Sequence, residues 1–206
     1  MNYTELKKRI ITGTIIGIAL GAFFFLLPPI FLSLFLIGCL LQILIFEMPR
    51  LVNYQKINAW VFTIFYPILP FFLLINLNQS NQHITLFIFL ITFAHDSGAY
   101  FAGNFFGKHK LLPSISPKKT WEGLFGGIFA IFIVLIVFYK VSLAHAIFGA
   151  MILTIAATAG DLFESWLKRR AGIKDAGTLL PGHGGLLDRF DSIVLVTIVV
   201  CLLLFY

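Results

Sequence analysis

The chain has 206 residues, of which 59% are hydrophobic and 12% are charged. A soluble domain carries about 25% charged residues, so half that share, with a mean hydropathy of +0.96, excludes a soluble globular domain and indicates an integral membrane protein. The net charge of +6 does not indicate a nucleic-acid partner, because the basic residues gather at the ends of apolar runs rather than along one continuous face.

The first nine residues are polar and basic at Lys7, Lys8 and Arg9, and an apolar run follows over 10–27. This run is too long for a signal peptide, and Pro28-Pro29 stands where a small-residue cleavage site would fall, so it is expected to be a retained span. Gly13, Gly17 and Gly21 recur every four residues, a smooth stripe that another helix can approach closely. A second span is expected over 30–46, then a polar stretch over 47–58. A third span covers 59–77, kinked at Pro67 and Pro70, and a polar, uncharged linker follows over 76–83. A fourth covers 84–106 and carries Asp96, and a basic loop runs from 107 to 119. The fifth span covers 121–139. The sixth, 145–166, carries Asp161 and Glu164, and the seventh, 186–206, has Asp188 and Asp191 in its first turns. Each run approaches the ~20 residues that cross a bilayer. The expected fold is therefore an all-α polytopic membrane bundle of about seven transmembrane helices. It forms a single membrane domain over 1–206, with N-terminal helices over about 1–80 and a catalytic part over about 84–206. Cys39 and Cys201 lie far apart in apolar runs, as buried small hydrophobes rather than a disulfide pair.

The lysines and arginines set the expected orientation. With the N-terminus cytoplasmic and the C-terminus on the opposite side, only Lys140 of the 15 basic residues falls outside. All nine acids then lie at or near the inner face, so the chemistry is expected on the cytoplasmic side.

The stretch 165–191, SWLKRRAGIKDAGTLLPGHGGLLDRFD, holds five cations, a glycine-rich turn with His183, and three aspartates. Asp161, Glu164 and Ser165 stand at i, i+3 and i+4 on one helical face. Asp188 and Asp191 stand at i and i+3 at the start of another helix. Capping explains an aspartate in a first turn. It does not explain Asp161, late in an apolar helix, where an aspartate costs roughly 2–3 kcal/mol and calls for a cation. Carboxylates from two helices suit a hard divalent ion such as magnesium. Lys168, Arg169, Lys174 and Arg189, interleaved with Asp175, suit a polyphosphate, whereas Arg170 reads as an ordinary contact with anionic lipid heads. Gly182, Gly184 and Gly185 let backbone N–H groups approach an anion; His183 alone could be a turn residue that bonds the backbone. Lys118, Lys119 and Thr120 precede a helix whose positive end suits phosphate. Ser116 and Glu122 can cap that helix, and Asp96 can pair with a lysine of the loop. GNFFGKH at 103–109 has neither the spacing nor the following Ser or Thr of a P-loop.

These residues resemble the phosphatidate cytidylyltransferase family, also called CDP-diacylglycerol synthases. The resemblance is carried by Ser165, Leu167, Lys168, Arg169, Lys174, Asp175, Gly177, Leu180, Pro181, His183, Gly184, Gly185, Leu186, Asp188, Arg189, Phe190 and Asp191. DSGAYFAG at 96–103, SPKKTWEG at 116–123 and Glu47 are also similar to that family's pattern. The resemblance covers most of the chain from about residue 90 and the earlier part weakly; family members are usually longer. It implies transfer of a cytidylyl group from CTP to phosphatidate in a bacterial inner membrane, with Mg2+ and a second cation such as K+, in a homodimer. By position it implies Asp161 and Asp188 as metal ligands, with Ser165 and Asp191 adjacent; Asp161, Asp188, Asp191 and Lys168 are the expected catalytic residues. The remaining loop residues would bind the two substrates. Two rivals are a CTP-dependent lipid-alcohol kinase, which would need a general base, and a transporter using Asp96 and Asp161, which would need acids near the midplane.

Overall fold

The computed structural model describes residues 17–177, 179 and 184–204. Residues 17–25 are helical, and Pro28-Pro29 starts the next helix, where a proline at the first positions costs no hydrogen bond. The helices that follow are α1 (Pro29–Leu51), α2 (Ile57–Ser80), α3 (Gln82–Phe106), α4 (Trp121–Val137), α5 (Leu143–Arg170) and α6 (Leu187–Leu204). Among the described residues, α1, α2, α3 and α5 are long and apolar enough to cross a membrane. Their exposed surfaces carry large apolar side chains such as Phe35, Phe72 and Phe93, a surface suited to lipid rather than water. The helical membrane architecture read from the sequence is therefore present.

Three local features differ from the sequence reading. The polar segment after 76 is not a linker: α2 stays helical to Ser80, and only Asn81 separates it from α3. Asn76 and Ser80 donate to carbonyls one turn back, and Asn78 donates to Pro29 O and Ser33 Oγ at 2.7 and 2.9 Å. Asn78 thus finds partners inside the bundle, while the exposed Asn76 and Ser80 bond their own helix. The basic segment after α3 is not an open loop. β1 (Lys110–Leu112) and β2 (Ser116–Thr120) form an antiparallel hairpin with an irregular register between Lys110 and Leu112. The Trp121 N–H donates to His109 O, which closes the hairpin at the mouth of α4. Finally, α1 and α2 each contain a π-helical turn, over Ile43–Glu47 and Ile64–Ile68. The second absorbs Pro67, which has no N–H to give.

The chain divides into two compact units, one of Met1–Leu86 with Leu167–Phe190 and the other of Phe87–Trp166 with Asp191–Tyr206. In the first, Phe71 and Leu74 of α2 and Leu32 and Leu36 of α1 are fully buried, and Phe71 packs on Phe190 in a tilted pair with ring centroids 4.9 Å apart. In the second, α3 and α4 meet through glycines. A methyl added at Gly98 would stand 2.5 Å from Gly126 O, and one at Gly123 would stand 2.9 Å from Ala99 O. Small residues on both faces let the backbones approach this closely. Of the expected stripe near the N-terminus, Gly17 and Gly21 have nothing within 4 Å among the described residues of this chain, and Gly13 lies outside them.

Candidate active site

In the first unit the site begins at the end of α5. Its last turn carries Lys168, Arg169 and Arg170, charges that complement the negative helix end. The helix closes in a Schellman turn: Ile173 N–H donates to Lys168 O at 2.9 Å and Gly172 N–H to Arg169 O at 3.1 Å, with Gly172 at φ +72°. The chain then reverses toward α6. Asp188, in the first turn of α6, ties the two sides together. Its Oδ1 accepts from Lys168 Nζ at 2.6 Å, and its Oδ2 accepts from Gly185 N–H at 2.7 Å and Ala176 N–H at 3.1 Å. The side chains of both ion-pair partners are nearly buried, at 12% and 7% exposure for Lys168 and Asp188. Gly184 lies at φ +77°, and a Cβ there would stand 2.6 Å from Asp188 Oδ2, so this glycine is required on both counts.

A second carboxylate serves the same turn from 140 residues away. Glu47 ends the π-helical turn of α1 and has no exposed surface. Its Oε1 accepts from Leu186 N–H and its Oε2 from Leu187 N–H, both at 2.8 Å, and Gln42 Nε2 lies 3.5 Å from Oε1. Leu186 O accepts from Phe190 N–H, so these donors are the orphan amides of the α6 N-terminus. The glycines that flank the turn make room for this carboxylate. A Cβ at Gly185 would meet its carbon and both oxygens at 2.7 Å, and one at Gly177 would meet Oε1 at 2.8 Å. Gly184 and Gly185 thus admit protein carboxylates, and the Gly185 N–H donates to Asp188 rather than pointing outward.

The second unit assembles the other acids. Lys119, at the end of β2, pairs with Asp161 of α5 at 2.6 Å, which supplies the cation that an aspartate in an apolar helix needs. Ser165 Oγ donates to Asp161 Oδ1 at 3.3 Å. Gly160 packs against the backbone of Asp191 and Ser192, and Asp191 lies within electrostatic reach of Asp161, Asp96 and Lys119. Its Oδ1 accepts from Ser192 N–H at 2.7 Å. Thr120, not Ser116 or Glu122, caps α4, its hydroxyl accepting from Gly123 N–H at 3.1 Å. Glu122 instead receives His109 Nδ1 at 2.7 Å and the His109 N–H at 3.3 Å, pinning the hairpin base.

The remaining expected residues divide by exposure. Lys118, Arg169, Lys174, Asp175 and Arg189 face outward, where a soluble anion can reach them. His183, with Leu180, Pro181 and Gly182, lies outside the described residues. Among the described residues no group of three or more His, Cys, Asp or Glu side chains forms a ready metal cage. The donors present are carboxylate and hydroxyl oxygens, the type magnesium takes, and magnesium is commonly held by one or two carboxylates with substrate phosphates and water. The side chains therefore fit such an ion without a dedicated cage. Glu47 is the residue that sequence reasoning left out of the site. Its signal was a lone acid closing an apolar run, at a position that demands a partner.

Comparison with known proteins gives the family. Over 117 residues the chain is 45% identical to the phosphatidate cytidylyltransferase of Haemophilus influenzae, covering 52% of this chain and 41% of that protein. It is 44% identical over 131 residues to the same-named protein of Staphylococcus saprophyticus (61% and 50% covered), and 46% over 123 residues to that of Staphylococcus aureus (57% and 47% covered). The matches thus span about half the length of these curated relatives. The model of the cytidylyltransferase family, by contrast, matches residues 7–206, a range that takes in the glycine turn before α6 and the basic hairpin, and the chain belongs to that family.

Proposed function

We propose that the chain transfers a cytidylyl group from CTP to phosphatidate, giving CDP-diacylglycerol and pyrophosphate, at the cytoplasmic face of a bacterial plasma membrane. The observation that carries this reading is the nearly buried Lys168–Asp188 pair in a turn whose neighbouring cations, Arg169, Lys174 and Arg189, face outward. The curated relatives bear the name of this activity. A monoester phosphate is largely ionised at neutral pH, its second pKa being about 6, so the nucleophile needs no general base. One of its oxygens attacks the α-phosphorus of CTP. The bond from that phosphorus to the bridging oxygen breaks, and the electron pair leaves with pyrophosphate.

The protein's task is then to hold two polyanions together and balance their charge. Arg169, Lys174 and Arg189 face the triphosphate or the lipid phosphate, Lys168 adds its charge from behind them while paired with Asp188, and Lys118 and Lys119 serve either substrate. Asp161 and Asp188 would hold magnesium, with Ser165 and Asp191 orienting them; when bound, the ion neutralises charge on the α-phosphate. A second cation such as K+, about seven spans with the N-terminus inside, and a homodimer complete the proposal. The test is incubation of the purified protein in liposomes with phosphatidate and CTP labelled in the cytidine, with and without Mg2+. Labelled lipid and pyrophosphate are expected only with Mg2+. Release of labelled CDP with phosphorylation of a lipid alcohol, diacylglycerol, supplied in parallel liposomes would overturn the assignment in favour of a kinase. Dimer and orientation are read by crosslinking in membranes and by protease access to the basic hairpin.

A further inference from the structure

The structure assigns Glu47 a role in the site: it is a positioning residue that holds the start of α6 and the glycine turn in register, so that Asp188 meets Lys168. Four backbone N–H groups converge on two carboxylates. Ala176 and Gly185 donate to Asp188, and Leu186 and Leu187 donate to Glu47. Asp188 reaches back to Gly185, Ala176 and Lys168, so alone it ties α6 only to the turn and the end of α5, all within residues 168–188. Glu47 comes from α1, 140 residues away in sequence, and ties this turn by hydrogen bonds to the α1–α2 part of its unit, beside the apolar Phe71–Phe190 contact.

Three observations make this more than a packing contact. Glu47 is fully buried, and its oxygens are met by backbone amides and Gln42, so its negative charge is balanced by the positive end of α6. Two glycines, 177 and 185, one on each side of the segment that contains His183, leave room for its carboxylate, which is the nearest group a Cβ at either position would meet. Its placement also depends on an unusual element, the π-helical turn over Ile43–Glu47, a form that recurs at functional sites. Losing the carboxylate frees the N-terminus of α6, and with it the relation of Asp188 Oδ1 to Lys168 Nζ.

The catalytic part of this inference rests on the cytidylyl-transfer reading; the structural part does not. The experiment uses Glu47→Gln and Glu47→Asp in the full chain. Hydrogen–deuterium exchange over 184–190 reads the clamp without any substrate. Turnover of CTP with phosphatidate, resolved into kcat and KM and measured across Mg2+ concentrations, reads its consequence. Exchange at Leu186 and Leu187 is expected to rise at least tenfold in Glu47→Gln, whose amide can accept only one of the two N–H groups. In that variant kcat is expected to fall at least tenfold and half-saturation by Mg2+ to move upward, with KM for CTP changed less than threefold, because the outward-facing cations are untouched. Unchanged exchange would overturn the clamp. Raised exchange with kcat and Mg2+ dependence as in the parent would overturn the positioning role and leave a structural contact. If the parent makes no labelled lipid, the cytidylyl-transfer reading and with it the catalytic part fail, while the exchange result still decides the clamp. Glu47→Asp keeps the charge on a shorter arm and is expected to lie between the two; a variant as impaired as Glu47→Gln in exchange yet normal in kcat would also overturn the role.

Discussion

Adding a single methyl group at position 185 tests the carboxylate clamp from its other side. Gly185 has an ordinary backbone conformation, outside the left-handed region, so alanine there incurs no backbone strain. The cost of Gly185→Ala is then the collision itself: the new Cβ would stand 2.7 Å from the carboxylate carbon and both oxygens of Glu47. The backbone of the turn is held by Asp188, so the carboxylate is the group that yields, and both its 2.8 Å hydrogen bonds are lost. Hydrogen bonds to a charged group contribute about 1.5–3 kcal/mol each, which gives about 3 kcal/mol after partial relaxation of the turn. For a chain of this size that corresponds to a fall in melting temperature of about 6–12 °C. Gly21→Ala is the control: nothing lies within 4 Å of that position in its helix, and alanine should gain about 0.5–1 kcal/mol. The assay is thermal unfolding of both variants in the same detergent. On a Glu47→Ala background the cost of Gly185→Ala should shrink below about 1 kcal/mol, since the colliding group is gone. A melting temperature for Gly185→Ala equal to that of the Gly21→Ala control would refute the reasoning.

Asp188→Asn keeps the side-chain volume but loses the charge that pairs with Lys168. It is expected to lower cytidylyl transfer at least 100-fold, measured as pyrophosphate release, while the protein stays helical by circular dichroism; near-normal turnover would contradict it. Gly98→Ala pushes a methyl to 2.5 Å from a backbone carbonyl of the neighbouring helix, which cannot swing aside. It should cost about 2 kcal/mol or more in thermal unfolding. Arg170→Ala removes an exposed charge at the end of α5. It should change stability by no more than about 0.5 kcal/mol and turnover less than threefold, with both assays run beside the parent.

The helices were legible because hydropathy alone places them: α1, α2, α3 and α5 follow the apolar runs, and the prolines at 28 and 29 mark the entry to α1. The need of Asp161 for a cation was legible too, from the cost of a carboxylate in an apolar helix, but its identity as Lys119 was not. That lysine reaches Asp161 because a hairpin folds the basic segment back, and strands of three and five residues with a proline carry no clear alternation. The polar residues at 76–80 misled for a related reason. Asn78 is polar by type, yet it is buried with its amide on Pro29 and Ser33, and a pattern of polarity cannot show a partner 49 residues distant. Among the glycines, regular spacing near the N-terminus suggested a contact surface, while the close approach between α3 and α4 rests on the less regular set 98, 123 and 126. What faces a glycine, rather than its spacing, decides which of them bring α3 and α4 together.

The π-helical turn at the end of α1 bears on how such a chain can change. Each residue added to a regular helix lengthens it by about 1.5 Å and turns every later side chain by about 100°. A span that must match a bilayer's thickness would therefore aim its final side chain wherever its length dictated. The wider turn over Ile43–Glu47 accommodates an additional residue within one loop of the helix, which separates those two quantities. The apolar length of α1 and the compass bearing of Glu47 become independently adjustable, so the hydrocarbon-facing portion can drift with membrane thickness while the acid stays aimed at the amides of Leu186 and Leu187.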